Sequence, residues 1–274
     1  MLYLQRRNEE TMAKESSLIR IKGAVDGLRY YHMKGHEGLI VGRVGGPSAS
    51  QVKKSPSFAR LRENGSEFGQ SARISKSIRQ AWSVPLMHMG NPRNAGRMNS
   101  KVRAVIQLDD EGRRGCRSFR LSKHKGMLTD FQLMPEVPFD MVMKGGIEVK
   151  SPDGKRVSVD LKPMVPESDI RKTKGATHFQ ISVIVSCVSD YAYDEEKKQW
   201  KVLNEGNGTK AEAKSSYISV EEAFGGESMT IDLPIADATD ATTVVTVSFE
   251  FYQKSGSKYY LLRDGACGKV VAEF

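Results

Sequence analysis

The feature that most constrains the fold is a change in hydrophobic period near Phe139. Between Pro56 and Trp82, apolar residues recur at intervals of three and four, as they do on one side of a helix. After Phe139 they alternate with polar residues, as in residues 179–187 and 245–251, which is typical of strands. We therefore predict an α+β protein in which a basic N-terminal region, with a β-hairpin and a long helix, precedes a C-terminal antiparallel β-sandwich.

The same change of period suggests how the 274 residues are organised. We predict a flexible N-terminal tail at residues 1–16, a basic α+β region at 17–137 and a β-sandwich domain at 138–274. Domains of this size are common, and we expect residues 138–274 to fold alone. The segment MAKESSLIRIKG begins at Met12, so the sequence offers two starts, Met1 and Met12.

The clearest predicted helix covers residues 56–82. Ser55 suits the N-cap position, and Pro56 suits the first helical position because its missing N–H would have no partner there. Five residues form one stripe at helical spacing, which predicts that Phe68 belongs to the core: Phe58, Leu61, Gly65, Phe68 and Ala72. A second stripe, displaced around the helix, contains Ile74, Ile78, Ala81 and Trp82. An alternative is that Asn64-Gly65 divides the segment into a helix-turn-helix.

Charge is distributed unevenly along the chain. Residues 1–130 hold 25 Lys and Arg against 11 Asp and Glu, a net of +14, whereas residues 131–274 hold 17 against 22, a net of −5. A basic surface of this kind binds either nucleic acid, by neutralising phosphates, or another protein, since arginine is enriched at interfaces. The candidate partner-binding residues are Arg60, Arg62, Arg73, Lys76, Arg79, Arg93, Arg97, Arg113 and Arg114.

Other classes of function lack a signal in the sequence. No catalytic motif brings together a nucleophile, a base and an orienting group, so we predict no enzyme and no small-molecule substrate. His32 and His36 have the spacing of a metal pair but fall across a predicted turn without a third ligand, so we predict no metal and no cofactor.

The sequence also bears on the cellular location of the protein and on the redox state of its cysteines. No apolar run approaches the ~18 residues of a membrane helix, and the N-terminus lacks the apolar core of a signal peptide. The three cysteines are widely spaced and form no C-x-x-C motif, which argues against a disulfide framework. We therefore expect a cytoplasmic protein that does not bind membranes.

Four segments of the sequence are similar to segments of other proteins. They are the opening MAKESSLIRIKGAVDGLRYY, SPSFARLRENGSEFG at 55–69, NPRNAGR at 91–97 and GATHF at 175–179. On these segments the chain resembles an uncharacterised family of Bacteroidota proteins. The resemblance implies a bacterial origin and implies that the segments belong to one architecture, but it implies no activity.

The sequence thus favours a structural or assembly protein whose sandwich makes protein contacts, with self-assembly as the expected interaction. Its basic N-terminal region would dock on a neighbouring subunit or an anionic partner. The alternative is a nucleic-acid-binding protein with little sequence preference.

Overall fold

The computed structural model describes residues 23–33, 36, 38–90 and 93–274. It divides the chain into two compact units, Met1–Ala59 and Arg60–Phe274. The predicted tail at 1–16 lies outside the described residues. Helices and antiparallel sheets are both abundant in the remainder, so the predicted α+β class is confirmed.

The first unit contains a small antiparallel sheet followed by a short helix. The strands are β1 (Gly23–Val25), β2 (Leu28–Tyr31) and β3 (Ile40–Arg43), and β2 with β3 forms the predicted hairpin. The helix α1 (Ala49–Lys54) begins with a capping box, in which Ser48 and Gln51 each bond the backbone N–H of the other. A 3-10 turn, Pro56–Phe58, ends the unit. Among the described residues of this unit, no side chain is buried.

Three helices lead the second unit: α2 (Ala59–Ala81), α3 (Ser83–Met89) and α4 (Asn94–Gln107). α2 runs without interruption through Asn64-Gly65, so the helix-turn-helix alternative is wrong. Its buried residues include Ile74, Ile78 and Ala81, which belong to the second of the two predicted stripes. A straight helix can bury only one side, and these residues, followed by the buried Trp82, decide which side that is.

The 3-10 turn Leu121–Lys123, two short helices and ten strands are the other elements described in the second unit. The helices and strands are α5 (Phe139–Val142), β4 (Ile147–Lys150), β5 (Arg156–Leu161), α6 (Pro166–Asp169), β6 (His178–Ser189), β7 (Tyr191–Asp194), β8 (Gln199–Val202), β9 (Lys210–Lys214), β10 (Ile218–Ser219), β11 (Glu227–Asp232), β12 (Ala241–Ser255) and β13 (Lys258–Glu273). The large sheet has the order β10-β6-β12-β13, with β9 also on β6, and the small sheet has the order β11-β5-β4. β7 and β8 pair as a separate hairpin.

Two apolar clusters show how these elements are layered. The first combines side chains of the small sheet, such as Val159 and Ile231, with Val183 and Val247 of the large sheet. This is the packing expected of a β-sandwich. The second combines Ile74 of α2 and Val102 of α4 with residues from the other face of the large sheet, among them Ile184 and Val244. Alternation of apolar and polar residues is typical of a sheet with one face in solvent, but most residues of β6 and β12 are buried on both faces.

The boundary predicted at residues 137/138 does not coincide with the division in the structure. The second apolar cluster takes residues from positions 74 to 133 and from positions 184 to 270. Because one core joins these segments, the helices and the sandwich form a single unit from Arg60 to Phe274.

Candidate partner-binding surface

The buried side of α2 is polar in its first half and apolar in its second. Glu67 is buried, and its carboxylate accepts the backbone N–H of Gly115 at 2.9 Å and lies 4.0 Å from Nε of Arg117. Ile74 and Ile78 then contribute to the apolar cluster against the sheet. The buried residues of α2, which lie between Glu67 and Ala81, therefore fix the rotation of the helix, and its exposed side chains lie on the opposite side.

The outward side of α2 carries two large apolar side chains. Leu61 is 52% exposed and Phe68 is 53% exposed. The prediction that Phe68 belongs to the core is therefore wrong. Residues 56–82 carry two apolar stripes on different sides of the helix, and the sequence alone does not determine which of the two is buried.

Two glycines accompany these apolar residues. A Cβ built on Gly65 or on Gly69 meets no atom within 4 Å, and neither residue has a positive φ. Glycine in a helix interior costs about 1 kcal/mol relative to alanine. Neither intrachain packing nor backbone geometry accounts for these two glycines, and each leaves the helix backbone open to close approach.

The basic residues predicted on α2 surround this apolar stripe. Arg60, Arg62, Arg73 and Lys76 are exposed, whereas Arg79 is half-buried. Arg60 lies 3.8 Å from Glu63 one turn later, and Nε of Arg79 donates to Ser75 Oγ at 3.5 Å. The acids of α2 are Glu63 and the buried Glu67, so the exposed side of the helix is strongly basic.

Arg97 lies elsewhere and has a structural position. Its guanidinium lies 4.6 Å from the ring centroid of Phe131 and donates to the Gln132 carbonyl at 2.7 Å and to Asn94 Oδ1 at 3.0 Å. Burial lowers the pKa of this guanidinium, against the opposing charge of Glu136. These contacts occupy the Arg97 guanidinium within the fold, so it is not part of the outward side of α2. Arg93, just before α4, is exposed.

Arg113 and Arg114 are both exposed on the loop that follows α4. Arg113 makes a two-pronged ion pair with Glu195, with distances of 3.0 and 2.7 Å, and this hydrogen bond raises the pKa of Arg113. The contact of Glu67 with Gly115 holds the same loop against α2. The structure thus brings Arg113 and Arg114 to the neighbourhood of the α2 residues.

Asp109 organises the start of this loop. Its carboxylate accepts the backbone N–H groups of Glu111, Gly112 and Ser118 at 3.2, 3.1 and 2.6 Å. Burial alone would raise the pKa of Asp109, but the three hydrogen bonds outweigh it and lower the pKa below its ordinary value. The carboxylate therefore serves the backbone of the loop.

The sequence did not predict a group of three polar side chains, of which two, Glu250 and Tyr252, are buried and the third, His88, is partly exposed. Glu250 of β12 is 3% exposed; its Oε1 lies 2.7 Å from His88 Nδ1, and its Oε2 accepts the Tyr252 hydroxyl at 2.8 Å. Burial and the adjacent carboxylate raise the pKa of Tyr252. The signal for this group was a lone acid within the apolar run SFEFY of a predicted strand.

The comparisons with known proteins add no assignment. No protein family, curated protein or solved structure is similar enough to the chain to count as a match. The resemblance to the Bacteroidota family therefore stays a prediction from the sequence. In the part of the chain that the structure describes, no three His, Cys, Asp or Glu side chains come together as metal ligands. None of the described helices combines the length and apolar character needed to span a bilayer.

Proposed function

We propose that this chain is a non-catalytic structural or assembly protein. Its sandwich makes contacts with protein, and its basic N-terminal region docks on a neighbouring subunit or an anionic partner. The observation that carries the proposal is the outward side of α2, where exposed Leu61 and Phe68 stand among exposed basic side chains. Large apolar residues within a charged rim are typical of protein interfaces.

A second surface supports protein contacts through the sandwich. β13 lies at the edge of the large sheet and pairs with β12 on one side. Residues 131–133 bond to Gly268 and Val270, which covers the later part of that edge. In the described chain, no strand adds to the earlier part near Tyr260, which is 54% exposed. An open strand edge is a site at which a strand of another chain can pair.

A non-catalytic role is supported by the hydrogen bonds that several carboxylates accept from backbone N–H groups within the fold. Asp109 bonds the loop after α4, Asp190 accepts from the backbone of Ser122 at 3.1 Å, and Glu273 accepts from Gly126 and Leu128 at 3.0 and 2.7 Å. We also propose a cytoplasmic location. Its support is that Cys116, Cys187 and Cys267 are all free thiols, as is usual in a reducing compartment.

Light scattering of the purified protein at low and high salt tests the proposal. We expect particles larger than a single chain of 30.4 kDa at low salt and smaller particles at high salt, since salt screens exposed charges. A monomer at both salt concentrations, with no binding to an anionic partner, would contradict it.

The nucleic-acid alternative keeps one observation in its favour, the net charge of +14 on residues 1–130. It predicts retention on immobilised DNA or RNA, with log K falling by about 0.7–0.9 per phosphate contact for each tenfold rise in salt. Exposed Leu61 and Phe68 have no role in binding phosphates, and for this reason we prefer the protein partner.

A further inference from the structure

We infer that the outward side of α2 binds the acidic end of the sandwich of a second copy of this chain, so that copies join head to tail. The inference rests on the proposed function and names its partner. We call the α2 surface the donor face and define it by Leu61, Phe68, Arg73 and Lys76. We call its counterpart the acceptor face and define it by Val165, Glu167, Glu221, Glu222 and Ala223.

The donor face is suited to burial by another molecule. Leu61, Gly65, Phe68 and Ala72 follow one another at spacings of four, three and four along α2, and Leu61 and Phe68 are about half exposed. The two glycines, Gly65 and Gly69, let a partner backbone come close. Arg73 and Lys76 continue the same outward side and are exposed.

Two donor faces do not fit each other. A two-fold contact would bring the basic side chains at the two ends of this surface, such as Arg60 and Arg73, against one another, and like charges within an interface are unfavourable. The second copy must therefore offer a different surface, and that surface must be acidic.

The acceptor face provides acids beside an apolar residue. Met164 and Phe224 exchange backbone hydrogen bonds of 3.0 and 2.9 Å, so the residues after Met164 run alongside those before Phe224. Glu167 of α6 follows Met164 by three residues, and Glu221 and Glu222 precede Phe224 by three and two, so this pairing places the three acids at one end of the sandwich. All three acids and Ala223 are exposed, and Val165 is 52% exposed.

In the described part of the chain, the acids of the acceptor face form no close ion pair, although Glu221 and Glu222 lie near enough to His178 to act on its pKa. Within the described residues, none of Glu167, Glu221 and Glu222 forms an ion pair with a Lys, Arg or His side chain within 4.0 Å. Donor and acceptor are thus complementary in charge, and each includes exposed apolar surface. A contact between two different faces extends from copy to copy and forms a ring or an open chain.

Exchanging the charges of the two faces tests the inference. The donor variant is Arg73→Glu with Lys76→Glu, and the acceptor variant is Glu221→Lys with Glu222→Lys. In each variant alone the two faces carry like charges, so we expect light scattering to report a mass near 30.4 kDa. In an equimolar mixture each altered face meets an opposite one, so particles of the wild-type size should return.

Matched controls separate charge from folding. Lys197→Glu with Lys201→Glu makes the same change in net charge as the donor variant, but on the β7–β8 hairpin, where both lysines are exposed, and should leave the particle size unchanged. Circular dichroism should show the same melting curve for every variant, since exposed charges contribute little to stability.

The outcomes distinguish this inference from the proposed function. If wild type assembles and both variants still assemble alone, the inference is wrong and the assembly function stands. If the folded variants are monomeric but their mixture does not reassemble, the acceptor face is not the partner of α2 and the inference is overturned. A wild-type monomer at every concentration, whether or not it binds nucleic acid, would overturn self-docking altogether.

Discussion

At the scale of single residues, the most demanding position is Glu250. Its carboxylate lies between the helices and the large sheet and has two side-chain partners, His88 from α3 and Tyr252 from the same strand. A buried carboxylate is costly unless its hydrogen-bonding capacity is used. The group therefore ties α3 to β12, and the three side chains depend on one another.

Removing His88 should destabilise the protein more than its partly exposed position suggests. His88→Ala leaves Oε1 of the buried Glu250 without its partner, so we expect the free energy of unfolding to fall by about 1–3 kcal/mol. Urea unfolding followed by circular dichroism measures the change. In the background of Glu250→Gln the same substitution should cost clearly less, and equal costs in both backgrounds would contradict the coupling.

At the scale of elements, α2 shows how much the sequence could predict. The predicted start of the helix was wrong, because Pro56 begins a 3-10 turn, the side chain of Ser55 caps no helix, and α2 begins at Ala59. The approximate length of α2 and its end near Ala81 were predictable from local signals, because helical spacing acts within a few residues. Its rotation was not, because the choice between Phe68 and Ile74 depends on packing against a sheet that begins at His178, over 100 residues later.

The burial of the large sheet on both faces was not predictable from the sequence, for a related reason. Ser182, Ser186, Thr246 and Ser248 alternate with apolar residues and therefore resemble a solvent-facing side. In the structure they are buried on the side that faces the helices, while Val183 and Val247 face the small sheet. Small hydroxyl side chains suit both a sheet face in water and a sheet face covered closely by helices. The alternation of residues alone therefore cannot show whether that face is exposed or buried.

The rotation of α2 makes a paired prediction. Phe68→Ala should lower the free energy of unfolding by less than about 1 kcal/mol, since the ring is half exposed. Ile74→Ala removes a fully buried side chain and should cost about 2–5 kcal/mol. Denaturant unfolding of both variants compares them directly. A larger loss for Phe68→Ala than for Ile74→Ala would mean that the other side of α2 is buried.

Alanine should replace either glycine of α2 without loss of stability in the single chain. Gly65→Ala and Gly69→Ala should each raise the stability of the folded chain by about 0.5–1 kcal/mol, because the new methyl group meets no atom and alanine favours the helix. If α2 docks on a partner, the same changes should weaken assembly by holding the partner backbone away. Thermal unfolding and light scattering give the two readouts, and a loss of stability would show that the space is already filled.

At the scale of the whole molecule, the large sheet is the central layer of the second unit, with an apolar cluster on each face. The helices from α2 to α4 supply the cover on one face, and the small sheet supplies it on the other. In the described residues of the second unit, the buried apolar side chains of the helices and of the small sheet belong to these two clusters. Without residues 60–137, the large sheet would lose the cover of one of its two faces.

This arrangement predicts the behaviour of two fragments. Residues 60–274 should be soluble and unfold in one cooperative transition, because they retain both clusters. Residues 138–274 should aggregate or stay unfolded, because loss of the helices exposes Ile184, Val188, Val244 and Val270 on one face of the sheet. Circular dichroism and size-exclusion chromatography of both fragments measure the outcome. A fragment 138–274 that is soluble, rich in strand and cooperative in unfolding would contradict this prediction. It would support the domain boundary at residues 137/138 that the change of hydrophobic period predicts, and it would mean that the sheet is stable without the helices.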